Sequence, residues 1–111
     1  MGGVNKMKLS YPEIKNWSLC DSFNFLEFES YVDPKFIFKH IHIDGIVYNS
    51  IKFPDGRHVF TSTVQRFIYE QGVIIAETKN SKYILRKEEI DKDYENEFGN
   101  IWEKIIENIE R

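Results

Sequence analysis

The hydrophobic pattern of this chain changes period once, and that change limits what the chain can fold into. Up to about residue 86, apolar and polar residues alternate in short runs such as Asn24–Val32 and Phe36–Ile43. A period of two is typical of strands that bury one face. From Ile90 to Ile109 the apolar residues recur at intervals of three and four, which indicates an amphipathic helix. The pattern predicts a mainly β domain of the α+β class, with a C-terminal helix over about residues 91–110 in which Gly99 allows a break near residues 98–99.

Turn signals divide the alternating part into about six strands. They combine residues that preset or tolerate turn dihedrals, and they are Asp33-Pro34, Asp44-Gly45, Pro54-Asp55-Gly56, Gln71-Gly72 and Asn80-Ser81. The Asp44-Gly45 pair predicts a hairpin turn. Short strands at this spacing predict an antiparallel meander, a small barrel or a sandwich, closed by the C-terminal helix.

The length of 111 residues is enough for one hydrophobic core. We expect residues 1–13 to be a poorly ordered lead and residues 14–111 to form a single domain.

Charge is unevenly distributed along the chain. Residues 1–87 hold 12 basic and 9 acidic residues, whereas residues 88–111 hold 3 basic and 9 acidic ones. The net charge of −3 argues against a nucleic-acid-binding protein, because such proteins usually carry a basic surface. A small nucleic-acid-binding β-barrel is the first alternative, since basic residues and aromatics are interspersed at Lys35, Lys39, Lys52, Arg57, Arg66 and Lys82.

Cys20 is the only cysteine, so no intramolecular disulfide can form. The N-terminal residues have no apolar segment of the signal-peptide type, and no run of 18 apolar residues occurs. These features predict a cytoplasmic protein without membrane association. A composition with 15 Ile and 11 Lys but a single Ala suggests an AT-rich genome, as in low-GC bacteria and their phages.

Charged and hydroxyl residues cluster around and after the Pro54-Asp55-Gly56 turn. This candidate region for binding a ligand or partner contains Asp55, Arg57, His58, Thr61, Ser62 and Thr63. A hydroxyl beside a base and an acid invites a nucleophilic triad, but the G-x-S-x-G elbow is absent around Ser62. Binding needs only a few convergent polar groups, so we expect a binding role and no enzymatic activity.

The pair His40 and His42 is the pattern that suggests a metal site. Side chains at i and i+2 of a strand point the same way, so both imidazoles could share a metal with His58, Asp44 or Asp55. A metal-dependent enzyme is therefore the second alternative. The same pair also fits a half-buried strand face, and no further metal signature accompanies it, so we predict no metal and no other cofactor.

The polar face of the C-terminal helix is acidic, with Glu103, Glu107 and Glu110 along one side. Such a face either is exposed to solvent or mimics the negative charge of DNA, and we favour the first interpretation.

The strands and the composition both favour self-association. Long strands leave sheet edges that need covering, and a small domain can bury only part of its hydrophobic residues, which make up 41% of this chain. We therefore predict a homodimer, formed by edge pairing or by helices packing across a two-fold axis.

A series of short motifs runs from Tyr48 to Phe98. The first motif is a "Y…FPDG" turn, formed by Tyr48 and Phe53-Pro54-Asp55-Gly56, and it leads into a "TS" strand at Thr61-Ser62. A hairpin that contains Thr78 follows, and then a "Y-x-L" strand at Tyr83-Ile84-Leu85. The last motif is a "Y-x-x-EF" segment at Tyr94-Glu95-Asn96-Glu97-Phe98. This series resembles a family of small bacterial and phage proteins. The resemblance carries over no catalytic residue and implies a setting of phages and mobile elements. We expect a protein that inhibits a host defence system, in an anti-CRISPR-like or other anti-defence role, by binding a protein partner or by sequestering a ligand.

Overall fold

A computed structural model describes residues 10–21, 30–36 and 41–109 of the chain. The strands in these ranges are β1 (Glu13–Asp21), β2 (Ser30–Tyr31), β3 (Ile41–Tyr48), β4 (Arg57–Phe60), β5 (Val64–Glu70), β6 (Val73–Thr78) and β7 (Lys82–Leu85). The helices are α1 (Lys92–Glu97) and α2 (Ile101–Ile109), and single 3₁₀ turns span Pro34–Phe36 and Lys87–Glu89. Residues 24–29 and 37–40 of the predicted strands lie outside the described residues.

The strands form one mixed sheet in the order β4-β3-β1-β7-β6-β5, and β2 pairs with the far end of β1. The predicted mainly β fold of the α+β class is confirmed. One pair departs from the antiparallel expectation, because β1 and β7 run parallel, with Ile14 opposite Leu85. These two strands are joined through several others, so no turn signal fixes their relative direction.

The sheet is strongly curled. β4 and β5 stand at opposite ends of the strand order, yet only residues 61–63 connect them. Four residue steps span at most about 14 Å, so the two edges of the sheet must come close together. Among the described strands β4 and β5 do not pair, so the sheet stays open and does not close into a barrel.

The curled sheet surrounds the main core, which α2 closes. Ile101, Trp102 and Ile105 of α2 are buried, as the spacing of three and four predicts. The ring of Trp102 lies 6.5 Å from the ring of Trp17 and 6.3 Å from that of Tyr69 on β5. The buried Trp17 donates its indole N–H to the carbonyl oxygen of Arg86 at 2.9 Å.

The predicted helix over residues 91–110 is two helices in the structure, and residue 110 lies outside the described part. Asp91 begins α1, because its Oδ1 accepts the backbone N–H groups of Asp93 and Tyr94 at 2.8 and 3.1 Å. The break follows α1, where Asn100 adopts a left-handed φ of 59°. Gly99, beside it, is a poor helix former. Within the described ranges, no helix has the length and apolarity needed to cross a membrane.

The predicted hairpin turn at Asp44-Gly45 is wrong, because Gly45 lies inside β3. The alternation of buried and half-buried residues continues through it without interruption. On the facing strand, the register of β1 shifts between Lys15 and Ser18. A Cβ on Gly45 would lie 2.8 Å from the carbonyl oxygen of Lys15 and 3.3 Å from the Cα of Trp17. The glycine therefore allows two backbones to approach closely, which is the other common use of glycine in a strand.

Candidate functional site

The loop between β3 and β4, residues 49–56, contains the predicted Pro-Asp-Gly turn and is fixed by its own hydrogen bonds. Asp55 accepts the backbone N–H of Asn49 on its Oδ1 at 2.8 Å. Ser50 accepts the N–H groups of Lys52 and Phe53 on its Oγ at 3.0 and 3.2 Å. Asp55 therefore positions the loop, and this contact explains its place in the turn without a bound ligand.

Ile51 projects from this loop and is fully exposed. Tyr69 is the other exposed large apolar side chain among the described residues, at 47%. A fully exposed isoleucine buries no apolar surface, so it does not stabilise the fold of its own chain. Its burial against a partner is worth about 1.5–3 kcal/mol.

Arg57 and His58 open β4, and both side chains are exposed. The guanidinium carbon of Arg57 lies 5.6 Å from the ring centroid of Phe53. The Nε2 of His58 pairs with Oδ1 of Asp44 on the neighbouring strand. Among the described strands β4 pairs only with β3, so these two predicted site residues stand on an open edge of the sheet.

Thr61 fixes the corner where the chain leaves β4. It is buried, its N–H donates to the carbonyl oxygen of Ile43 at 3.0 Å, and its Oγ1 accepts the N–H of Ile43 at 3.0 Å. The same hydroxyl donates to the carbonyl oxygen of Ser62 at 2.8 Å. Thr61 is thus used by the fold, whereas Ser62 and Thr63 are half-buried in the link to β5. The structure places the six predicted residues on one hairpin and its corner, and none of them lines the groove that includes Ser10 and Lys82 or the groove that includes Arg66 and Ile109.

His42 belongs to the same corner. Its Nδ1 lies 2.7 Å from the carbonyl oxygen of Thr61, and its ring stacks on Phe60 with centroids 4.6 Å apart. His40 lies outside the described residues. Across the described ranges, no group of three or more His, Cys, Asp or Glu side chains is arranged to hold a metal ion. Through its contacts with Thr61 and Phe60, His42 packs against the corner where the chain leaves β4.

One residue of the predicted acidic face, Glu103, forms an ion pair. Glu103 pairs with Lys87 at 3.1 Å, and the pKa of its carboxyl is lowered by its own backbone N–H and then by Lys87. Glu107 is exposed, and Glu110 lies outside the described part of the chain. The described part of this face therefore carries less unpaired negative charge than the sequence suggests.

Sequence reasoning missed a groove of about 700 Å³ at the end of the sheet where β1 begins. We call it the end groove, and its lining residues in the described ranges are Ser10, Tyr11, Pro12, Asn49, Ser50, Ile51, Lys52, Gln65, Glu77, Thr78, Lys79, Asn80, Ser81 and Lys82. They come from segments that are far apart in sequence, so no local motif marks the site. The one local signal is the Asn80-Ser81 turn, which two lysines flank.

Backbone hydrogen bonds hold the walls of the end groove in place. In the turn from β6 to β7, the N–H of Thr78 donates to the carbonyl oxygen of Ser81 at 2.8 Å. The Oγ1 of Thr78 also accepts the N–H of Ser81 at 3.1 Å. On the side of β1, the carbonyl oxygen of Pro12 accepts the N–H of Ile84 at 2.8 Å. The groove is therefore formed by the fold before any ligand arrives.

Positive charge dominates the end groove. Glu77 is its one carboxylate among the described lining residues, and it pairs with Arg66 at 2.7 Å and with Lys82 at 3.5 Å. The hydrogen bond from Arg66 lowers the pKa of Glu77, so this group is ionised and neutralised at neutral pH. Within the described residues, Lys52 and Lys79 have no carboxylate at ion-pair distance.

Comparisons with protein-family models, with curated proteins and with solved structures give no match to this chain. Each candidate residue is therefore interpreted from its own contacts. Those contacts point to two surfaces, the β3–β4 hairpin with its open edge and the end groove, which share residues 49–52 of the loop.

Proposed function

We propose that this chain is a non-enzymatic binding protein that recognises a protein partner through the β3–β4 hairpin, as an inhibitor of a host defence system would. The observation that carries this proposal is the fully exposed Ile51 on a fixed loop beside an open sheet edge. A few buried anchor side chains supply most of the affinity of protein interfaces. Ile51 has the exposure and the rigid support that such an anchor needs.

The fixed loop supports binding in a second way. Ordering a flexible loop at an interface reduces affinity, and residues 49–56 are already ordered by the contacts of Asp55 and Ser50. Two cationic side chains accompany the anchor, because Lys52 follows Ile51 and Arg57 stands at the start of β4. The surface therefore suits a partner that offers an apolar pocket with an acidic rim.

The open edge of β4 supports the proposal of a homodimer. An edge strand presents unpaired backbone groups, and pairing with the same edge of a second copy satisfies them. Antiparallel pairing places the start of one β4 opposite the end of the other. The loop 49–56 of one copy would then lie beside residues 61–63 of its partner, so the predicted residues from Asp55 to Thr63 would come together between two copies.

The first test is affinity capture with Ile51→Asp from the lysate of a low-GC bacterial host. The loss of one apolar anchor and the charge added in its place should weaken capture of the specific partner about 10- to 100-fold. Quantitative mass spectrometry measures the difference from the unmodified chain. Gln71→Asp, which adds the same charge at the exposed turn between β5 and β6, is the matched control and should retain the partner. An unchanged set of captured proteins in Ile51→Asp would contradict the role of the hairpin.

The second test is the molar mass in solution. Light scattering at micromolar concentration should give a mass near twice the 13.3 kDa of the chain. His58→Lys should shift the mass toward the monomer, because it adds a charge to an edge that faces its own copy. A monomeric mass for the unmodified chain over this range would disprove the dimer, while the capture experiment would still decide the role of Ile51.

A further inference from the structure

We propose that the end groove, which shares Ile51 and Lys52 with the protein-binding hairpin, binds a small phosphorylated ligand. Lys52 and Lys79 reach the groove from two different loops, and Lys82 reaches it from the start of β7. Its volume of about 700 Å³ lies within the range of small-molecule sites, which is about 300–1,000 Å³. A phosphate group matches this setting because its oxygens accept several charge-assisted hydrogen bonds at once.

The remaining lining chemistry favours the same ligand. The neutral polar side chains of the groove are hydroxyls and amides, which can donate hydrogen bonds to a phosphate oxygen, apart from Thr78, whose Oγ1 already donates to the carbonyl oxygen of Ser81 at 3.0 Å. Glu77 would repel an anion, but Arg66 and Lys82 already pair with it. Lys82 is held between that carboxylate and the ring of Tyr11, whose centroid lies 5.5 Å from its Nζ. Tyr11 and Ile51 add apolar surface against which the organic part of a ligand can lie.

The charge distribution limits the ligand to a compact molecule. The lining residues include three lysines and one glutamate, a net charge of +2, whereas the whole chain carries −3. Everything outside the groove therefore sums to −5. A long nucleic-acid strand would run from the groove onto a surface of net negative charge, but a diphosphate attached to a small organic group would fit inside.

The experiment is calorimetric titration of the full chain at about 0.15 M salt with inorganic pyrophosphate, with ADP and with a single-stranded oligothymidylate of about ten nucleotides. We expect saturable binding of pyrophosphate and ADP, with one ligand per chain. Lys79→Gln and Lys82→Gln should each weaken that binding about tenfold or more, because each removes a charge-assisted contact. Lys92→Gln removes the same charge from α1, which contributes no lining residue to the groove, and should leave the affinity unchanged.

Three results would overturn the proposal. They are the absence of binding of both phosphate probes at millimolar concentration, an equal loss of affinity in Lys92→Gln, and tighter binding of the oligonucleotide than of ADP. Circular dichroism establishes that each variant is folded. Lys79 has no ion pair among the described residues, so Lys79→Gln stays informative even if the loss of the Lys82–Glu77 pair destabilises Lys82→Gln. Lys79 and Lys82 lie outside the β3–β4 hairpin, so the two lysine variants test the groove without altering the protein-binding surface, and failure of the groove leaves the proposed protein-binding function standing.

Discussion

Replacement of Trp102 by alanine is expected to lower the free energy of unfolding by about 3–5 kcal/mol, a large part of the total of about 5–15 kcal/mol for a domain. Trp102 is 7% exposed and is the side chain through which α2 contacts both Trp17 and Tyr69. Its removal leaves a cavity between the helix and the sheet that neighbouring side chains fill only in part. Urea denaturation followed by circular dichroism measures the loss.

The control for this change is Glu107→Ala, which alters an exposed position on the same helix. It should change the unfolding free energy by less than about 0.5 kcal/mol. Trp102→Phe should fall between the two because it retains one aromatic ring. If Trp102→Ala unfolded at the same denaturant concentration as Glu107→Ala, α2 would not be part of the core, and its apolar face would be free for another protein.

Replacement of Gly45 by valine is expected to destabilise the chain by about 3 kcal/mol or more, and replacement by alanine by about 1–3 kcal/mol. The added Cβ would clash with Cγ2 of Ile14 and would lie 2.8 Å from the carbonyl oxygen of Lys15. The isoleucine can change its rotamer, but the carbonyl belongs to the backbone of β1 and can move only with the strand. Thermal melting compares the variants.

Gly99→Ala is the matched control for Gly45→Ala. A Cβ at Gly99 would meet no atom within 4 Å, and its backbone does not need a positive φ. Alanine there should be neutral or stabilising by up to about 1 kcal/mol, since it reduces the entropy of the unfolded chain. Equal effects at the two glycines would show that Gly45 does not face a closely approaching strand.

The candidate surfaces differ in how far the sequence reveals them. The β3–β4 loop could be predicted because Pro54, Asp55 and Gly56 encode a turn through their own dihedral preferences. The exposure of Ile51 could not be predicted, because an isoleucine in a short loop can be either buried or exposed. The end groove was missed because Lys52, Lys79 and Tyr11 come together only when three distant segments meet at one end of the sheet.

The sequence by itself determined which faces of the strands and helices are apolar. The alternation in β3 and the spacing of three and four in α2 appear unchanged as burial in the structure, because both periods follow from local backbone geometry. For the same reason, the composition of the chain and its change of period were enough to predict a mainly β fold that ends in helical structure.

The tertiary structure alone decided how these elements meet. Gly45 shows the reason, since Asp-Gly is compatible both with a turn and with a close approach of strands, and only the shifted register of β1 selects the second. The parallel pairing of β1 with β7 and the curl that brings β4 near β5 depend in the same way on contacts between residues far apart in sequence. Such contacts depend on how the whole core packs, and no local propensity encodes that.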